Sequence, residues 1–404
     1  MNLLLVTDAY PPMRTSGAVH LFDLGQAFLR QAHQVCVVIP NDQQTQSVCF
    51  YEAEGCEVIS VKAWVSKDQT YLLRVLAEFC NPLMMWWRLQ RSPLFLARHI
   101  DGVIWYSPTI FWGPLIKRFK HQFNCPAYLI LRDLFPDWAV DLGLLKENWI
   151  YRFLKYVERY QYQQANCIGL QSPQNLRYFT QKQAPLQCRL EVLWNWAAPS
   201  NPLIPGTPHI NLAQSRLAGR FIFVYAGNMG IAQKMDAVIA LANSLRSRED
   251  MGFVLVGRGS EVGRLKTKVQ EMGLSNLLFF DELEPKEIPH LYRQCHAGIV
   301  ALDVRHRTHN IPGKLVSYLH AGLPIYAIVN KGNDLVELIE NHHLGVVSTD
   351  DSEEFLLRAA EQFIAQIASD KGVAERCKVV AKDYFSVQVA AQQITSALQF
   401  DGAG

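Results

Sequence analysis

The chain has 404 residues, 49% of them hydrophobic and 19% charged, with 39 basic side chains against 37 acidic ones and a formal net charge of +2. That length exceeds one ordinary core and suits two domains, and the composition is that of a core-building globular chain. The near-neutral balance gives no electrostatic sign of a nucleic-acid binder. Nine cysteines are scattered along the chain, an odd number with no C-x-x-C pair. They read as reduced thiols of a cytosolic protein, with no disulfide frame and no zinc site. The first residues lack a basic n-region, and Asp8 and Pro11 cut the opening apolar run short, so no signal peptide is expected. No uncharged run reaches the eighteen or so residues that a spanning helix needs.

In chain order, short apolar β-branched runs alternate with helical patterns. The first half offers strands at 3–6, 35–39, 57–60, 103–105, 127–131, 167–170 and 190–193, with helices near 19–30, 108–119 and 150–164. Such alternation predicts a parallel sheet covered on both faces. Pro199, Pro202, Pro205 and Pro208 then crowd one short polar segment, which reads as a stiff linker. The boundaries expected are 1–198 and 199–380, with 381–404 as a helix packing back on the first domain. The second half repeats the alternation with strands at 221–225, 252–256, 277–280, 298–301, 325–328 and 345–347. Residues 351–400 are helical and amphipathic with no further strand.

The glycines at strand ends carry the first functional signal. Val224-Tyr225-Ala226-Gly227-Asn228-Met229-Gly230 is a strand that stops at glycine and hands over to a helical pattern at 233–245. A second such unit, ending in Val256-Gly257-Arg258-Gly259, follows at once. The first half has its own version, in which 3–7 lead through Pro11-Pro12 to Ser16-Gly17. Free N–H groups and the dipole at a helix N-terminus attract phosphate, and glycine lets a ligand approach the backbone. Two such halves predict a cleft enzyme acting on a phosphorylated ligand. Lys314, after Pro312-Gly313, brings a cation to another helix start. Arg132 and Asp133 follow a strand, at the edge where α/β sheets bind ligands; Asp133 would orient an acceptor hydroxyl and Arg132 would pair with phosphate. A turn salt bridge, with Asp137 as another partner, is the structural reading of the same residues. His306 and His309, close to the Lys314 loop, could donate to phosphate. No Asp-x-Asp or His/carboxylate cluster with ligand spacing is present, so a metal-independent reaction is expected. The 72–98 stretch interleaves apolar and aromatic residues with arginines, as a helix at an anionic bilayer surface does, and Trp86, Trp87, Arg88 and Arg91 are the candidate membrane contacts. A core-packing helix is the plain alternative.

The motifs together resemble the retaining glycosyltransferases of family 4, which have the GT-B fold, nearly end to end. Leu4-Leu5-Val6-Thr7-Asp8-Ala9-Tyr10-Pro11-Pro12 and Ser16-Gly17 look like that family's first strand, proline turn and glycine loop. His33-Gln34-Val35 matches its "GHEV", with Ala32 in the glycine's place. Arg132-Asp133-Leu134-Phe135-Pro136-Asp137 is similar to the "RDLWPD" turn of a bacterial capsule and O-antigen branch that includes N-acetyl-L-fucosamine transferases. Tyr225 to Gln233 looks like "YAGNLGxAQ", Val256 to Gly259 fits "VGxG", and Ile311 to Pro324 fits "VPSKLxxYxxAGxP".

The resemblance implies two Rossmann-like α/β domains facing a cleft, with the C-terminal helices returning toward the N-terminal domain. It implies transfer of a hexose or N-acetylamino sugar from a nucleoside diphosphate, a UDP-sugar being favoured, to a lipid-linked or oligosaccharide acceptor in bacterial surface polysaccharide synthesis. No cofactor or metal is called for, and the enzyme would sit at the cytoplasmic face of the membrane. Carried over by position, Lys314, Asp133 and Arg132 are catalytic. Ser16, Gly17, Gly227, Asn228, Met229, Gln233, Lys234, Gly257, Arg258, His309, Asn310, Pro312, Gly313, Leu315 and Ser317 hold the donor. Two departures stand out. The basic pair for the diphosphate is replaced by Asn228 and Gln233, and the two usual glutamates are replaced by His309 and Ser317. A GT-B nucleotide-sugar 2-epimerase and a non-catalytic saccharide-binding relative are the alternatives. A dinucleotide oxidoreductase is disfavoured, because neither half has G-x-G-x-x-G followed by an acidic residue.

Overall fold

The computed structural model describes residues 1–401 except 14, 65–70, 108, 142, 144, 184, 198–209 and 305–310; for 16, 71–74, 138, 141 and 401 it describes the backbone alone. The chain forms two compact units: residues 1–194 with 387–404, and residues 195–386. The divisions thus fall at 194/195 and 386/387, where the sequence reading has 198/199 and 380/381. The prolines of the expected linker, 199 to 208, lie outside the described residues.

Unit 1 is built on eight strands: β1 (Asn2–Val6), β2 (Gln34–Asn41), β3 (Val48–Ala53), β4 (Cys56–Lys62), β5 (Gly102–Ser107), β6 (Ala127–Leu131), β7 (Cys167–Leu170) and β8 (Arg189–Val192). Their order is β3-β4-β2-β1-β5-β6-β7-β8. All neighbours are parallel except β3, which pairs antiparallel with β4 through a tight turn at Glu54-Gly55, both with positive φ. The strand order reverses beside β1, whose neighbours are β2 and β5. β1 and β6 are buried along nearly their whole length, as a sheet covered on both faces requires. Helix Ser16–Arg30 follows β1, capped by Thr15, whose hydroxyl accepts from the Ala18 N–H at 3.3 Å. Its buried stripe includes Ala18, Leu21, Leu24 and Phe28. Helix Val387–Asp401 packs against it and buries Ala391, Ile394, Ala397 and Leu398. Gln393 Nε2 ties the helix to Glu191 and to the Val192 carbonyl, both at 2.8 Å. Leu398 fills the space over Gly102, where a Cβ would stand 2.8 Å from its Cδ1.

Unit 2 carries β9 (Phe221–Ala226), β10 (Met251–Val256), β11 (Leu277–Phe280), β12 (Ala297–Ala301), β13 (Ile325–Ile328) and β14 (Gly345–Ser348), all parallel in the order β11-β10-β9-β12-β13-β14. This is the doubly wound order in which ligands sit outside the carboxyl ends of the strands where the order reverses, here between β9 and β12. Phe223, Phe253, Tyr326 and Phe363 pack on one face of the sheet, with the first two stacked at 5.1 Å. The expected helix at 233–245 is split. Ile231–Gln233 is a single 3-10 turn, Lys234 turns left-handed, and the helix proper is Asp236–Ser244. All nine cysteines are unpaired.

Candidate functional site

At the switch point of unit 2, the loop after β9 and the loop after β10 close on each other. The Gly227 N–H donates to the Val256 carbonyl at 2.9 Å, and the Met229 N–H donates to the Arg258 carbonyl at 2.8 Å. Gly257 has φ +142° and faces the Gly227 carbonyl so closely that any Cβ would collide with it. The glycine is there for backbone-on-backbone approach, which no other residue permits. Helix Gly313–Ala321 approaches the same place from β12. Tyr318 holds it there: its ring lies over Gly298, and its hydroxyl accepts from the Ala226 N–H at 3.0 Å. The helix begins after Pro312 with no side-chain cap, so its first N–H groups have no capping side chain.

Lys314 stands in that first turn. Its Nζ donates to the Tyr225 hydroxyl and lies 3.7 Å from the centre of the Tyr225 ring. A Cβ on Gly227 would lie 3.4 Å from its Cε. The side chain is part-buried, its ammonium lies against the neutral Tyr225 ring and hydroxyl, and no carboxylate among the described residues pairs with it. Burial pulls its pKa down from 10.5 to about 7. A cation held at a helix N-terminus without a counter-ion attracts anions.

The other residues expected to hold a donor divide. Asn228 and Gln233 hydrogen-bond each other at 3.2 Å, and Gln233 Oε1 also accepts the Gly230 N–H at 3.0 Å. Lys234 is paired with Asp351. Arg258 is exposed beside Glu282 at 3.4 Å. Met229 and Leu315 are fully buried in the core. Met229 also spends its carbonyl on the Glu261 N–H at 3.1 Å, so it shapes the loop. The Ser317 hydroxyl turns back onto the Gly313 carbonyl at 3.4 Å. His306, His309 and Asn310 lie outside the described residues.

Unit 1 gathers a second set of polar residues at the carboxyl ends of β1, β5 and β6. Arg132 is buried, and its guanidinium donates to the Leu193 carbonyl at 2.8 Å and the Trp194 carbonyl at 3.4 Å. Burial lowers its pKa to about 10. Burial raises the pKa of Asp133, with the Arg132 charge opposing. Tyr106 at the end of β5 and His20 one turn into the first helix share this field. Burial, then the Arg132 charge, holds His20 down at about 4, so it is neutral at physiological pH. Gly17 leaves room for the Tyr106 ring, whose Cε1 would be 3.4 Å from a Cβ there. His20 and Tyr106 escaped the sequence reading. The spacing of His20 from Gly17 was visible, but its nearness to Arg132 was not. Asp137 does not pair with Arg132. It is held by Lys155 at 3.1 Å and by the Tyr151 hydroxyl at 2.9 Å, both on helix Trp149–Tyr162.

The four proposed membrane residues also divide. On helix Tyr71–Leu89, Trp86 packs edge-on against Phe119 and Arg88 donates to the Lys62 carbonyl, so both are turned inward. Trp87 is 53% exposed and stacks with Arg91, whose guanidinium carbon is 3.4 Å from the ring centre. The outer stripe of this helix is Leu76, Phe79, Leu83 and Trp87. A second exposed stripe, Trp149, Phe153 and Tyr156, lies on helix Trp149–Tyr162.

Two α/β units of this topology, with glycine loops at the switch point, have the architecture of the GT-B fold. The chain belongs to the group 1 glycosyl transferases, whose family model matches residues 211–382. It is similar to WcaI of Escherichia coli K12, named as a colanic acid biosynthesis glycosyl transferase, with 32% identity over 80% of this chain and 82% of that one. It is also similar to WbjE of Pseudomonas aeruginosa, named as a glycosyltransferase, with 24% identity over 54% of each chain, so that match spans about half of WbjE. In fold it is similar to sucrose-phosphate synthase from Thermosynechococcus elongatus, with a TM-score of 0.72 and 14% identity over the whole of both chains. HepE from Anabaena, solved with UDP, gives a TM-score of 0.68 and 16% identity over 99% of this chain and 100% of that one.

Proposed function

We propose that the chain transfers a hexose or N-acetylamino sugar, with retention at the anomeric carbon, from a nucleoside diphosphate to a lipid-linked saccharide in bacterial surface polysaccharide synthesis. The observation that carries the donor half is the Lys314 ammonium, buried without a carboxylate at an uncapped helix start. The diphosphate of the donor supplies the missing anion, and the leaving group gains charge where the cation and the helix N–H groups already point. HepE, solved with UDP and with UDP-glucose, and the naming of WcaI support a UDP-sugar and a surface polysaccharide. In this reading Asp133 takes the acceptor hydroxyl. Arg132 holds the turn through Leu193 and Trp194. Lys314 does the work a divalent cation does elsewhere, so turnover in EDTA is expected. No helix among the described residues is long and apolar enough to cross a membrane. The lipid-linked acceptor is met at the cytoplasmic face through the exposed stripes, with Trp87 and Arg91 among the contacts.

The test is a thermal-shift series with UDP, GDP and dTDP on the wild type and on Lys314→Ala. One nucleotide should raise the wild-type midpoint in proportion to its affinity. Lys314→Ala should show a much smaller shift while melting cooperatively, with weakened but measurable binding, and its turnover should fall on the order of 100-fold or more. A wild type that ignores all three nucleotides, or a Lys314→Ala enzyme with near-normal turnover, removes the reading.

A further inference from the structure

Tyr225, next to last in β9, opens the glycine motif but is not among the residues assigned to the donor above, yet three contacts converge on it. Its ring lies 3.7 Å from the Lys314 ammonium nitrogen. Its hydroxyl accepts a hydrogen bond from that nitrogen. The same hydroxyl donates to the Asn228 carbonyl at 2.5 Å. Its side chain is wholly buried, so the hydroxyl would be costly to keep without these partners.

We propose that Tyr225 is a positioning residue that sets Lys314 and the 227–230 loop together, so that cation and glycine loop present one preformed anion pocket. This rests on the reading of Lys314 as the diphosphate cation. A lysine is a flexible stem with three rotatable N–H donors, and left alone it does not choose a direction. The aromatic face attracts the ammonium and walls off one side of it. The hydroxyl takes one of the three donors and so turns the other two as a fixed pair. Because that hydroxyl also grips the Asn228 carbonyl, the tilt of the Asn228–Met229 peptide and the aim of the lysine are fixed by the same atom. Tyr318 adds rigidity from the other side, since its hydroxyl accepts from the N–H of Ala226, the next residue in β9. The replacement of a basic pair by Asn228 and Gln233 gives this arrangement its weight. With those two neutral and bonded to each other, Lys314 is the cation that must be aimed well.

A double-mutant cycle on nucleoside diphosphate binding tests this. Calorimetry uses whichever of UDP, GDP and dTDP gives the largest thermal shift, on wild type, Tyr225→Phe, Lys314→Ala and the double variant. Tyr225→Phe keeps the ring and loses the hydroxyl. It should weaken binding roughly tenfold in the wild-type background and leave it unchanged in Lys314→Ala, since the tyrosine acts through the lysine. Equal weakening in both backgrounds, or none in either, overturns the role of Tyr225. Unchanged affinity in Lys314→Ala alone overturns the donor-site reading, which separates the two failures. Should Tyr225→Phe not fold, Tyr225→His takes its place in the cycle, with the same outcomes decisive.

Discussion

At the scale of single residues, Lys314 sets stability against function. Its ammonium pays for burial in the folded state, and its pKa falls from 10.5 to about 7. The unfolded chain therefore binds more protons between about pH 7 and 10.5, so this group's contribution to stability rises with pH through that window. At or below pH 7 the whole cost is present. Lys314→Met should accordingly melt higher than wild type at pH 6.5, and the gap should close as the pH is raised toward 10. Calorimetric scans at several pH values read this directly. Donor binding has the opposite sign. An anion favours the protonated amine, and phosphate is already doubly charged above its second pKa of about 6. Affinity for the nucleoside diphosphate should fall, by one proton, as the pH rises above about 7. In Lys314→Arg, which stays charged, that limb should be flat. A wild-type affinity constant from pH 6.5 to 9 would mean that the lysine does not meet the phosphates.

At the scale of elements, the helices of unit 1 show what a linear sequence reveals and what it hides. The 72–98 stretch reads as apolar with arginines throughout, and four neighbouring residues looked alike. The helix sorts them by angle: Trp86 and Met85 face inward, while Leu83 and Trp87 face out. Replacing Leu83, Trp87, Phe153 and Tyr156 by Ser should release the protein from anionic vesicles in a flotation assay without moving the melting midpoint. Trp86→Ser should instead destabilise unit 1, by about 2 kcal/mol for a half-buried ring. The opposite pattern would show that the outer stripes pack against something other than lipid. Most strands were legible because parallel strands buried on both faces are unbroken apolar runs. β3 was missed because it is an edge strand whose residues are only part-buried or exposed, with no alternation of apolar and polar positions to mark it, and because its turn is Glu54-Gly55. Glutamate at positive φ is not the asparagine or aspartate that signals such a hairpin. The candidate site is marked in the sequence by glycines after strands and by a lysine at a helix start. The ring beneath the lysine was not, since Tyr225 meets it across 89 positions.

At the scale of the whole molecule, unit 2 is one continuous stretch of chain and unit 1 is two. Residues 195–386 expressed alone should fold cooperatively and bind the same nucleotide as the full chain, because Lys314, Tyr225 and both glycine loops lie within that stretch. Absence of a calorimetric unfolding transition in the isolated piece would show that it depends on unit 1. Residues 1–386 should behave differently. Without Val387–Asp401, the apolar stripe of helix Ser16–Arg30 loses the cover of Ala391, Ile394, Ala397 and Leu398. Unit 1 should then melt well below unit 2, which two resolved transitions would report.

The same division has a consequence in time. A ribosome delivers the chain in order, and domains ordinarily fold as they emerge, the first before the second. Here the first unit emerges lacking its last helix, which is translated only after every residue of the second. Its strands are complete early, yet one flank stays greasy and bare while the second unit is still being made. Nascent unit 1 is therefore the species most in need of a chaperone, and the half made later is the first to be finished.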